Sequence, residues 1–453
     1  METYTQNASA LRRLVTLSQA PTLSDMSDDV IAITKRAILD SLGCAIAAIG
    51  CEPARIAGPL IACGTGVATV IGEAAPSSLE RAVLLNGIML RYLDMMDVYW
   101  AQDVCHPSEN IPLALASVES VQGSGAQLIQ AVVTGYEAQM RLTHLVSLQS
   151  MGMHHVSAAG IVAPMVIGSA WGLSLETIEQ AVGLSGCRQF TVHALSKGGL
   201  SMAKAIGYAW SSMESILAVR LAQGGFTGPK HFLDWLGHEG PLKASFDESI
   251  LIPGQEPLIT RTSFKQFPVQ FELQTPNEVA IRLHTKIAGR KINRIVIAVP
   301  PITAQRTADT AKFKPANRET ADHSLPVTVA MSLLDGKLTA AQFESDRWAE
   351  ADIAALVSRI EVQAEIALLE DFAQGRPVRM TIDLDDGQTL TEFQSVPYGD
   401  ATRPMDDHAV EQKFLANVTE VFGLQRALAL IDCVRNLQDI SNINQLTSLL
   451  RAG

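Results

Sequence analysis

Charge, aromatic side chains and pairable cysteines are all scarce in this chain. Only 18% of its 453 residues are charged and 5% aromatic, and 35 Lys and Arg face 47 Asp and Glu for a formal net charge of −12. No long basic run offsets that balance, which excludes the electrostatic footprint needed to hold a nucleic-acid backbone. The six cysteines, Cys44, Cys51, Cys63, Cys105, Cys187 and Cys433, show neither CxxC nor Cys/His ligand spacing. A chain this long needs no disulfide staples, so a reducing cytoplasm is the expected compartment. The opening METYTQNASALRRLV lacks the basic-then-apolar order of an export signal, and none is expected.

Several catalytic signatures are missing too. There is no GxxxxGK[ST] phosphate loop, no HExxH and no GxSxG, and GLSGC at 183–187 has the wrong spacing for a nucleophile elbow. GTGVAT after Cys63 imitates a dinucleotide loop, but it lacks the third glycine and a following helix with a ribose-binding acid. Nucleotide, zinc-protease and serine-hydrolase chemistry therefore fall away. One run of twenty residues, Val156 to Leu175, carries no charge and is long enough to span a bilayer. Its Pro164, three serines, three glycines and four alanines make it weakly lipophilic, and a buried core helix is expected instead of a membrane span.

What is present is an alanine-, leucine- and glycine-rich mix, 47% hydrophobic, that favours closely packed helices. Ser27-Asp-Asp before VIAITKRAILDSLG predicts a capped helix with acids in its first turn. Helical periodicity continues through SLERAVLLNGIMLRYLDMMD, GAQLIQAVVTGYEAQMRLTHLV, SLETIEQAVGLSG and AKAIGYAWSSMESILAVRLAQ to about residue 236, where GGFTGP has already supplied a stop. From 238 to 257 the period is lost and glycine and proline appear, which predicts a linker. Beyond it NRIVIAVP alternates as a strand, and VRMTIDLDDGQTLTEFQSV predicts a hairpin around Asp-Asp-Gly, with helices at PVTVAMSLLDG and TAAQFESDRWAEADIAALVSRI between. The expected fold is mainly α with a smaller α+β domain. Residues 1–257 form a helical domain, 258–403 an α+β lid, and 404–453 return as helix to the first domain. No internal repeat is evident.

The chemistry-bearing candidates cluster in apolar or small-residue surroundings, where desolvation brings carboxylates and imidazoles into a range useful for proton transfer. Asp94 and Asp97 stand three apart at the end of an apolar helix and are expected to share a face, and His106 follows in a loop before Pro-Ser. An arbitrary D-x-x-D more often caps a neighbouring helix or solvates a surface. His154 and His155 open the uncharged run; adjacent histidines point different ways on a helix, and a lone one is more often structural than catalytic. Lys204 interrupts an apolar helix and would ordinarily snorkel to solvent. Lys265, in SFKQFP, would ordinarily be a surface lysine.

Taken together these positions resemble the MmgE/PrpD family, which includes 2-methylcitrate dehydratase, cis-aconitate decarboxylase and iminodisuccinate epimerase. The likeness is an ordered chain of patterns over roughly residues 30 to 440. It runs through ILDSLGCAIAA, LLNGIMLRYLDMMD, HPSEN, GYEAQMRL, the histidine before the glycine- and alanine-rich helix, LSMAK, LAQGGFTGP, FKQFP, DHSLPVTVAMSLLDGKLTAAQFE and the DDG hairpin. The resemblance implies a large helical domain built from both chain ends, a smaller lid, a site between them and a homodimer. It also implies that Asp94, His106, His155, Lys204 and Lys265 fall on or beside active-site positions, with HPSEN most similar to the methylcitrate dehydratase branch. Departures are Val98 for a family threonine, Val327 for a tyrosine, Met202 at a place where relatives often carry lysine, and Gln270 and Phe271 where some relatives have histidine. These are expected to alter the pocket wall.

The resemblance implies a hydro-lyase that removes water from a small anionic 2-hydroxy di- or tricarboxylate, with no metal, no organic cofactor, no nucleic acid and no membrane partner. His106 and His155 are expected to move protons, with Asp94 orienting a histidine and Asp97 supporting it. Lys204 and Lys265, with His154 and Gln270 nearby, are expected to hold substrate carboxylates. Which histidine is the base stays open at this level. Decarboxylation, α-proton epimerisation and a non-catalytic ligand-binding role are the alternatives.

Overall fold

The computed structural model describes residues 8–19, 22–61, 64 and 66–452. Helices dominate, and a few of them pack with a small mixed sheet of four strands, so the chain is mainly α with a smaller α+β part. Cys63, Thr65 of GTGVAT and the first seven residues of the N-terminal stretch lie outside the described residues. Among the described residues, Cys44, Cys51, Cys105, Cys187 and Cys433 are free thiols.

Local rules account for most helix starts. Ser27 caps Asp28–Ala47 by accepting from Val30 N, and Ser78 and Ser174 cap Leu79–Tyr92 and Leu175–Gly186 in the same way. Ser124 and Gln127 form a capping box on Gly125–Leu145. The uncharged run divides into a 3-10 turn, His155–Ala158, and a helix, Ala159–Trp171, which Gly172 ends in the left-handed conformation. Thirteen residues span roughly 20 Å, short of the bilayer core. No described helix is long and apolar enough to cross a membrane.

Two large hydrophobic cores result, beside a small cluster of Val156, Ala159 and Tyr208. The first draws on Ala10 through Phe264 and resumes from Met405 to Leu450, so the late helices Asp407–Phe422 and Leu424–Arg435 pack on Asp28–Ala47. The second runs from Phe267 to Leu384. Residues 238–257, expected as a linker, instead carry Leu242, Ile250 and Leu251 inside the first core. Apolar residues spaced irregularly among glycines and prolines bury short turns as well as helices, which periodicity does not register.

Strands β1 (Tyr99–Trp100) and β2 (Val104–Cys105) form a small ribbon, and the second core lies under a sheet of β3 (Ile292–Val299), β4 (Ile360–Ala364), β5 (Val378–Leu384) and β6 (Thr389–Gln394) in the order β4-β3-β5-β6. Strands β3 (Ile292–Val299), β5 (Val378–Leu384) and β6 (Thr389–Gln394) are those expected, and β5 and β6 pair as the hairpin whose Gly387 has φ of +84°. Strand β4 (Ile360–Ala364) was not expected; it runs parallel to β3, which needs the intervening helices as a crossover. Its five residues follow a segment that reads as one helix but is divided into Ala340–Glu344 and Ala351–Val357, with Asp346 at φ of +53° between them.

The crossing of Leu79–Tyr92 over Ala203–Gln223 fixes the distance between two elements that later carry charges. Gly87 lies at that crossing, where an added Cβ would meet Ala209 Cβ at 2.5 Å. Gly87→Ala is therefore expected to lower unfolding free energy by about 1–3 kcal/mol in urea titrations, through overpacking. Adding Ala209→Gly should restore part of the loss.

Candidate active site

Asp94 sits just past the end of the Leu79–Tyr92 helix with φ of +51°, in the left-handed region that Asp tolerates better than most residues. That one residue breaks the helical register, so Asp94 and Asp97 do not share a helix face as their spacing predicts. Asp97 Oδ1 accepts from Ser108 N at 3.1 Å and from Ser108 Oγ at 2.5 Å, and Oδ2 accepts from Tyr136 OH at 2.6 Å. The carboxylate thus braces the 3-10 turn Pro107–Asn110, the ordinary capping role of an acid near a helix start. Burial raises Asp97 to about 6, with the Ser108 and Tyr136 hydrogen bonds opposing the rise.

The same loop orients His106. Its Nδ1 lies 2.6 Å from the Asp97 carbonyl oxygen. A carbonyl only accepts, so Nδ1 carries the hydrogen and Nε2 keeps its lone pair. Burial, Lys265 and Arg91 hold the ring well below the usual imidazole range, so it is neutral at neutral pH. Asp97 supports His106 through its main chain, not its carboxylate.

Asp94 is 1% exposed and is surrounded by cations. Arg91 Nη1 lies 3.0 Å from Oδ1 and Lys204 Nζ 3.1 Å from Oδ2, while Lys265 Nζ donates to the same residue's carboxylate and, at 3.0 Å, to its carbonyl. Burial works against the charge, but Arg91, Lys265, Lys204 and His323 outweigh it and hold the carboxyl well below its ordinary range. The histidine beside Asp94 is His323, at 3.4 Å, in place of the expected His106 or His155. Neither lysine is at the surface: Lys204 is 5% and Lys265 1% exposed. A long aliphatic stem lets a lysine bury when a carboxylate waits at its end, and Lys204 has two, since Nζ also donates to Asp322 at 2.9 and 3.1 Å. Asp94, Asp322 and His323 offer three donor atoms within 4.8 Å of one another, and the Lys204 ammonium already bridges the two carboxylates.

A cavity of about 130 Å³ opens over this cluster, between the two cores. Asp94, His106, His154, His155, Lys204, Lys265 and Gln270 line it; Asp97 does not. Six basic side chains, Arg91, Lys197, Lys204, Lys265, Arg306 and Lys312, face it against three acidic ones, so a chain of net negative charge presents a locally positive hollow. Gln270 Oε1 is buried without a hydrogen-bond partner among the described residues. His154 accepts from Val156 N through Nδ1 at 3.4 Å, and its ring lies 4.2 Å from that of His155, centroid to centroid. Burial, with Arg91 and His193 adding, lowers His154 to about 3.

Two departures expected on the wall lie elsewhere. Val98 pairs backbone to backbone with Ser263, and Val327 packs in the second core; neither is among the lining residues. Gln270 and Phe271 do line the cavity. Sequence reasoning missed Arg91, His193, Arg306, Lys312 and His323. For Arg91 a signal existed, a charge inside an apolar helix three residues before Asp94; His323 stands in DHS, and the others carry no local pattern.

Comparison with known proteins agrees with this architecture. The MmgE/PrpD N-terminal domain matches residues 12–250 and the MmgE/PrpD C-terminal domain residues 267–439. The chain belongs to the MmgE/PrpD family. Within that family it is similar to a Homo sapiens cis-aconitate decarboxylase, 26% identical over 457 residues, covering 94% of this chain and 91% of the relative. Similarity to the 2-methylcitrate dehydratase of Cupriavidus necator is 27% over 445 residues, covering 88% and 87%, and to that of Escherichia coli (strain K12) 27% over 437 residues, covering 87% of each.

The raised Asp97 has a consequence for this MmgE/PrpD chain. The folded protein keeps that proton up to about pH 6, whereas the unfolded chain releases it near 3.8. Folded protein then binds the extra proton, so stability falls as pH rises through that window. Asp97→Asn is expected to flatten the slope of melting temperature between those two pH values; an unchanged slope would assign the proton elsewhere.

Proposed function

We propose that this chain is a lyase that removes water from a small 2-hydroxy di- or tricarboxylate of the 2-methylcitrate type. Its own side chains move the protons, without metal or organic cofactor. The carrying observation is the forced tautomer of His106, a lining residue of the positively charged cavity, which leaves Nε2 unprotonated with its lone pair free. A carbon acid beside a carboxylate is weak, so its ionisation needs a base on the proton, cations on the carboxylates and an acid on the departing hydroxyl.

His106 Nε2 takes the carbon-bound proton. The C–H electrons form the double bond, the C–O bond breaks, and His155 gives a proton to the hydroxyl so that water leaves. Lys265 spends two of its three donors on Asp94 and keeps one for a substrate carboxylate, with Arg91 and Gln270 beside it. Lys204, shared between Asp94 and Asp322, holds the frame; it is a positioning residue in this scheme.

The cis-aconitate decarboxylase likeness, at nearly equal identity, favours one second reading, loss of carbon dioxide from an unsaturated tricarboxylate on the same groups. Incubation with 2-methylcitrate, citrate, cis-aconitate and tartrate, with product identification, separates these. An ultraviolet-absorbing alkene supports dehydration, carbon dioxide supports decarboxylation, and solvent deuterium in unchanged substrate supports epimerisation. His106→Gln is expected to lower kcat roughly 10²- to 10⁴-fold with an unchanged melting temperature. Wild-type rates in that variant would remove His106 from the reaction.

A further inference from the structure

Behind the cavity wall lies a buried carboxyl that the scheme above leaves unused. Glu109, in the 3-10 turn Pro107–Asn110, is buried and is not among the lining residues. Its Oε2 stands 3.8 Å from His155 Nε2, and neither atom has a hydrogen-bond partner among the described residues. Its Oε1 stands 3.6 Å from Arg91 Nε. Buried polar atoms are nearly always paired, so two unpaired ones facing each other call for a shared partner. A shift of about 1 Å brings the pair to hydrogen-bond distance.

We propose that Glu109 is a positioning residue for His155, sharing one proton with its Nε2 and so setting the ring's tautomer from behind. This rests on His155 as the proton donor in the reaction. In the resting state Glu109 holds its proton against the Nε2 lone pair, and His155 carries its own hydrogen on Nδ1. When Nδ1 gives that hydrogen to the departing hydroxyl, the Glu109 O–H bond breaks and an N–H bond forms at Nε2. The ring stays neutral, and the carboxylate left behind lies beside Arg91. The cycle closes when His106, holding the carbon-derived proton, passes it to His155 Nδ1 and Nε2 returns its hydrogen to Glu109. The two rings meet edge to face at 5.3 Å between centroids.

The surroundings allow this. Burial lifts Glu109 to about 8, opposed by Arg91 and Lys265 and assisted by Asp97 and Asp94. Cys105 and Tyr208, which also face it, are pushed up by burial and stay uncharged. Burial, His154, His106 and Arg91 hold His155 well below the usual imidazole range, with Asp94 opposing.

The test is nitrogen NMR of the full-length protein labelled with ¹⁵N-histidine, the His155 signals being assigned by their loss in His155→Gln. The wild-type Nε2 resonance should titrate with a midpoint near 8, following Glu109, and Glu109→Gln should abolish that titration. A wild-type resonance that stays still from about pH 6 to about pH 10 overturns the proposal, as does an unchanged titration in Glu109→Gln. The wild-type measurement decides even where the variant does not fold. On whichever of 2-methylcitrate or cis-aconitate the enzyme turns over, Glu109→Gln should lower kcat roughly 10²-fold with little change in KM and remove the alkaline limb of the pH profile. If wild type turns over neither acid, the functional reading fails, and the resonance still decides whether Glu109 and His155 share a proton.

Discussion

An isolated carboxylate buried as deeply as Asp94 would cost several kcal/mol in lost hydration and would ordinarily neutralise itself. Here it stays charged because Arg91, Lys204, Lys265 and His323 converge on it from separate parts of the chain. Arg91 comes from the helix before it, Lys204 from a helix that crosses that one, Lys265 from the join between the two cores, and His323 from the second core's side. Each charge is affordable only in the company of the others. The ion cluster therefore ties the two cores together at the place where the cavity opens, and loss of either lysine would strand a buried charge.

Around that cluster the polar groups sort by what they leave over. Asp97 is fully spent on Ser108 and Tyr136, and Lys204 on two carboxylates, so these are framework. His106 Nε2, one donor of Lys265, and Gln270 Oε1 remain available on the cavity side. On the far side, Glu109 Oε2 and His155 Nε2 face each other without hydrogen-bond partners among the described residues. Reactivity in such a site follows from incomplete satisfaction held in place by complete satisfaction next to it.

The fold was largely legible. Serine caps, glycine stops and apolar spacing act within a few residues, so Asp28–Ala47, Leu79–Tyr92, Gly125–Leu145 and Ala203–Gln223 were readable from their own text. The β5–β6 hairpin was readable for the same reason. Strand β4 was not, because a five-residue strand that pairs in parallel with a distant one has no local turn to announce it. The turns between 238 and 257 escaped because their burial belongs to the first core and not to their own periodicity.

The sequence by itself determined the helical majority, the smaller α+β part, the positions of most elements and the set of residues, Asp94, His106, His154, His155, Lys204, Lys265 and Gln270, that line one cavity. Residue type and local spacing suffice for the elements, and the ordered resemblance to the family supplied the cavity residues. Only the tertiary structure decided how those residues divide their work. The left-handed Asp94 turned two acids apart that the text placed on one face, and a carbonyl beside His106 chose its tautomer. Lys204, Lys265 and His323 joined the cluster across long stretches of chain, and burial set the proton affinities. Hydrogen-bond partners and desolvation depend on what the rest of the chain brings within a few ångströms, and no local pattern carries that information.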